Sequence, residues 1–66
     1  MTIPAGAASE LSSLASSLEE IEQRVAALAH AHDDGRHDDL VAALLDAERL
    51  VRQGVRQLRR ARTLAP

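Results

Sequence analysis

The chain has 66 residues, ten acids against eight basic residues, no cysteine and no aromatic residue, and a formal net charge of −2. One small domain is the most it can form. The composition excludes disulfides, thiolate metal sites and thiol nucleophiles, and it leaves a core of Leu, Val, Ile and Ala alone. At 45% hydrophobic content, such a core suits helix on helix and suits a sheet poorly, because strands draw on aromatic and β-branched residues.

Residues 1–8 hold Pro4 and Gly6 and read as a flexible lead-in, with Thr2 or Ser9 available to cap a first helix. From about residue 8 to 32 the apolar positions Leu11, Leu14, Leu18, Ile21, Val25 and Leu28 recur at alternating steps of three and four. That spacing keeps one seam on one side of a helix and presents it to a partner helix. The other side carries Ser9, Ser12, Ser13, Ser16 and Ser17, then Glu19, Glu20 and Gln23, as a solvated face would.

Asp33, Asp34 and Gly35 mark the stop, since glycine takes the left-handed conformation that follows a helix C-terminus. The turn is expected over residues 33–38, with Asp38 or Asp39 capping the next helix. A connection this short makes its two helices antiparallel neighbours.

The second helix is expected from about residue 39 to 63, leaving 64–66 as a tail. Its best seam is Leu40, Leu44, Ala47, Val51, Gly54, Leu58 and Ala61, with Val55 beside it. Ala47, Gly54 and Ala61 recur every seven residues, a period at which small side chains let two backbones approach. Gly54 is predicted where a side chain would clash, with a kink as the competing explanation.

Charge supports this pairing. Residues 1–35 carry six acids against Arg24, a balance of −5, while residues 36–66 carry seven arginines against four acids, a balance of +3. Folding back sets Glu19, Glu20 and Glu22 at the level of Arg49 and Arg52, and Glu10 near Arg59 and Arg60. Exposed pairs of this kind select orientation more than they stabilise.

The expected fold is therefore all-α: an antiparallel helical hairpin, a two-helix coiled coil over residues 9–63. A hairpin alone leaves apolar residues uncovered, Val41, Leu45 and Leu50 among them. The expected partner is a second copy, giving a homodimeric four-helix bundle, or else a larger protein.

Two other clusters carry possible chemistry. Arg49, Arg52, Arg56 and Arg59, with Arg60 beside them, form a stripe on helix 2 that could meet phosphates of a nucleic acid or an anionic surface. A solvated face paired with helix 1 explains the same residues, and the overall acidity favours that plainer reading. His30, His32 and His37 stand among the aspartates of the turn. They are weak metal candidates, because His30 and His32 are two residues apart and a helical chelate needs four. Together these imidazoles could also gain positive charge in mild acid.

No activated nucleophile, phosphate loop or enclosed acid pair is legible, so the chain is read as a non-enzyme without cofactor. No apolar run is long enough for a membrane span, and the N-terminus lacks the build of a signal peptide. The expectation is a cytoplasmic protein–protein interaction or assembly module acting through aliphatic helix faces.

Overall fold

Two long helices lie against each other along their length in a computed structural model that describes residues 6–66. Helix α1 spans Gly6–Ala31 and α2 spans Asp38–Leu64. The described part of the molecule is a rod of 55 × 14 × 13 Å. Residues 1–5 lie outside the described part, and with them most of the expected lead-in and the cap expected of Thr2. Ser9, the other cap candidate, sits inside α1.

The helices meet antiparallel, and three cross-helix approaches fix their relative height. Glu22 pairs with Arg52, Glu19 pairs with Arg59, and Leu18 lies against Gly54. The centre of the contact is occupied by small residues. Ala15 and Ala29 are buried from α1 and Val55 from α2, and no large side chain is fully buried among the described residues.

This corrects the expected seam. Leu11, Leu18 and Val25 are half-buried between the helices as predicted, but Leu14, Ile21 and Leu28 stay 48%, 45% and 51% exposed. Their places are taken by the row one residue further on, Ala15, Glu22 and Ala29. On α2, Leu44, Val51 and Leu58 are half-buried as expected, while Leu40 is 42% exposed and Val41 comes toward the contact instead. The physical reason is the size of the alanines. A row of alanines lets the two backbones close up, and the leucines then flank the contact line rather than fill it. Turning the helices this way also brings Glu22 and Glu19 within reach of Arg52 and Arg59.

The turn differs from expectation in detail. Helix α1 ends at Ala31, and residues 32–36 form the turn. The His32 N–H donates to the carbonyls of Leu28 and Ala29, and its Nδ1 donates to Leu28 O at 2.9 Å. His32 thus gives the Leu28 carbonyl at the helix end a second donor beside its own backbone N–H. Gly35 takes a φ of +81°, the left-handed conformation anticipated for it. Its place is in the turn, four residues past the last helical position, rather than directly at the helix end.

Neither Asp38 nor Asp39 caps α2. The cap position is His37, which makes no side-chain capping bond, and both aspartates fall inside the first turn. There they still face the positive end of the helix dipole. Asp34 holds the approach instead. Its Oδ1 accepts the Arg36 N–H at 2.9 Å and His37 Nδ1 at 3.3 Å. These contacts hold its carboxyl below the ordinary aspartate range, the backbone bond contributing most.

Candidate interaction surface

Because the helices are antiparallel, equal steps away from the contact line on α1 and α2 lead to the same flank of the rod. The two flanks of this hairpin are chemically different. One is closed by charge and the other is open and apolar.

On the charged flank, Arg52 donates through Nε to Glu22 at 3.0 Å and through Nη2 to Glu48 at 2.8 Å. Arg59 reaches Glu19 at 2.6 Å. Both acids raise the affinity of the Arg52 guanidinium for its proton, with the Glu22 hydrogen bond the largest cause. Beyond them, Arg49 pairs with Asp46 of its own helix at 3.2 Å. The predicted level of Glu22 with Arg52 is found. Glu19 goes to Arg59 rather than to Arg49 or Arg52, and Glu10 and Glu20 make no ion pair among the described residues.

The arginine stripe is therefore divided. Arg49, Arg52 and Arg59 each hold a carboxylate, and Arg56 and Arg60 make no ion pair among the described residues. All five lie on the charged flank or the outer side of α2.

On the opposite flank, Leu14, Ile21 and Leu28 project from α1. Each precedes by one residue a member of the central row, so the three stand one above another. On α2 the matching positions are Leu40, Ala47, Gly54 and Ala61, which precede Val41, Glu48, Val55 and Arg62 in the same way. Between these rows lie the half-buried Leu11, Leu18 and Val25 of α1 and Leu44, Val51 and Leu58 of α2. Nearly every position of this broad face is aliphatic, and it runs the length of the rod. No protein family, curated protein or solved structure matches the chain.

All ten expected core positions border this open flank: Leu11, Leu14, Leu18, Ile21, Val25, Leu28, Leu40, Leu44, Val51 and Leu58. Of the three expected to form a second interface, Val41 and Leu45 line one surface hollow, and Leu50 lies apart from them on another side of α2. Val41 is half-buried near the turn, Leu45 is 50% exposed beside Ala26, Ala29 and Asp33 toward the charged flank, and Leu50 is 62% exposed at the rim of the apolar face.

The histidines do not converge. Among the described residues, no three His, Cys, Asp or Glu side chains come together as a metal ion would need. The rings of His32 and His37 instead meet edge to face, with centroids 5.4 Å apart. The hollows of the surface are open to solvent, as in the one lined by Ser13, Ser16, Ser17, Glu19, Glu20 and Gln23. No polar or charged residue is buried among the described residues. No helix of the described part is long and apolar enough to cross a membrane.

What sequence reasoning missed was the row Ala8, Ala15, Glu22 and Ala29. Its signal was present as a second period of seven one step beside the leucines. A ranking by hydrophobicity passes over it, because alanine and glutamate score below leucine.

Proposed function

We propose that the chain is a non-enzymatic protein–protein interaction module whose working surface is the open aliphatic flank. The observation that carries this reading is the exposure of Leu14, Ile21 and Leu28, each close to half, along a single row. Each has on the order of 1 kcal/mol still to gain from being covered, and the gain is shared along the whole row. Apolar patches of this extent are rare on surfaces that meet only water.

The competing reading is that the arginine stripe binds a nucleic acid or an anionic surface. It is less well supported, because Arg49, Arg52 and Arg59 already hold carboxylates, and a phosphate would have to compete with them. Replacing Arg49, Arg52, Arg56 and Arg59 with glutamine tests it: loss of binding to DNA, RNA or anionic vesicles in low salt would favour the stripe.

The experiment for the leading reading is the triple substitution Leu14→Gln, Ile21→Gln and Leu28→Gln, with solution mass and helicity measured against wild type. Association above the 7.1 kDa of one chain is expected for wild type and lost in the variant at low micromolar concentration. A variant that associates as wild type does would overturn the reading.

A further inference from the structure

Resting on that reading, we infer that the open flank is covered by a second copy of this chain, stacked so that both turns lie at the same end of a four-helix bundle. Three observations carry this.

The first is size. The described rod is 55 Å long and 14 Å wide, so one side offers close to the ~800 Å² per partner that a stable interface of standard size buries. A short peptide would leave most of that length bare.

The second is the absence of a core in the single hairpin. Only two alanines and one valine are buried among the described residues. Chains of this length seldom bury enough apolar surface alone, and oligomerisation is a common remedy. Pairing two open flanks would turn the leucines of both copies inward at once.

The third is relief, and it selects the arrangement. Leu14, Ile21 and Leu28 make three protrusions on α1, seven residues apart. Ala61, Gly54 and Ala47 are the small residues of the matching row on α2, also seven residues apart, and leave it recessed, with Leu18 of the same hairpin lying against Gly54. The Leu18 approach to Gly54 and the Glu22–Arg52 pair put Gly54 within about one helical turn of the height of Ile21. It follows that Leu14 stands near the height of Ala61 and Leu28 near that of Ala47.

Two ways of laying one flank on its copy keep two-fold symmetry. With the symmetry axis along the rod, α1 lies over the partner's α2 at unchanged height, and every protrusion meets a hollow. With the axis across the rod, α1 lies over the partner's α1 and α2 over the partner's α2. At full overlap, protrusions then meet protrusions and hollows meet hollows, forcing one helix pair apart while the other is free to close, and a shift along the rod that relieves this gives up overlap at both ends. Large against small packs evenly on both sides of the bundle, so the first arrangement is the one inferred. Every helix is then antiparallel to both of its neighbours, which also sets neighbouring helix dipoles in opposition.

Labelling at the turn tests this. The chain has no cysteine, so Arg36→Cys introduces a single attachment point. Its backbone N–H still reaches Asp34. Spin labels there should show a mass of two chains and a label separation within about 25 Å, because neighbouring axes in a bundle lie only about 8–10 Å apart. Gly6→Cys at the other pole is an independent site, since nothing lies within 4 Å of a Cβ placed there, and it should give a short distance too. A dimer with labels separated by nearly the 55 Å length of the rod at both sites would overturn the same-end arrangement. A chain that stays at 7.1 kDa up to about 100 μM would overturn self-pairing itself. The interaction-module reading would be judged separately, by whether the three glutamines abolish association of any kind.

Discussion

Leu18 lies against Gly54. A Cβ on that glycine would stand 3.2 Å from Leu18 Cδ2, inside ordinary van der Waals contact. The glycine is thus explained by proximity, and α2 runs unbroken through it from Asp38 to Leu64.

The contact is tight but the obstructing atom is the end of a flexible, half-buried side chain. Gly54→Ala should therefore stabilise the hairpin by something under the ~1 kcal/mol that alanine gains over glycine in a helix. Denaturant unfolding at fixed protein concentration measures it. A loss of more than 1 kcal/mol would show that Leu18 cannot yield.

Ala15 has no exposed surface at all. Ala15→Leu should push the helices apart and cost about 1–3 kcal/mol, the usual penalty for overpacking. The neighbouring Leu14→Ala should cost the isolated hairpin less than that, since Leu14 is 48% exposed. Reversal of that order in thermal or urea unfolding would restore the leucine row to the centre of the hairpin.

Arg59 and Glu19 are both about half exposed, so their coupling should be small. A double-substitution cycle with Arg59→Gln and Glu19→Gln is expected to return about 0.2–0.5 kcal/mol in dilute buffer. In ~1 M salt, where the screening length falls to about 3 Å, it should nearly vanish. Coupling that ignored salt would mean the pair is shielded from solvent.

The Asp34 carboxylate is held in its charged form by the Arg36 N–H and His37. A carboxyl whose folded value is depressed contributes stability that is present above its unfolded value and lost as pH falls through the folded one. The turn should accordingly loosen below about pH 4. Asp34→Asn should flatten that part of the acid unfolding curve while leaving neutral pH little changed. Hydrogen exchange at the Arg36 amide reads it directly, and protection that never fell as the carboxyl was titrated in acid would contradict the assignment.

Much of this architecture is legible in the residues. The three-four spacing from Leu11 to Leu28, the left-handed Gly35 and the short polar connection together define two antiparallel helices, and opposite charge on the two halves anticipates Glu22 with Arg52. The rotation of each helix about its own axis is not legible in the same way. Leu11, Leu18 and Val25 belong equally to the leucine row and to the alanine row beside it. Hydrophobicity favours the first, whereas close backbone approach favours the second. Only the geometry of the packed pair separates them. The caps were ambiguous for a related reason: several short acids near a helix start can each offer an oxygen, and His37 occupies the position with Asp34 reaching across the turn instead. The same rotation leaves Val41 and Leu45 lining one hollow and sets Leu50 on another side of α2.

The doubling back at residues 32–37 also decides how this rod could be joined to anything else. Gly6 and Leu64, the outer ends of the two helices, lie at one pole, and the turn forms the other. Despite a length of 55 Å, the rod presents both of its outer helix ends at a single pole.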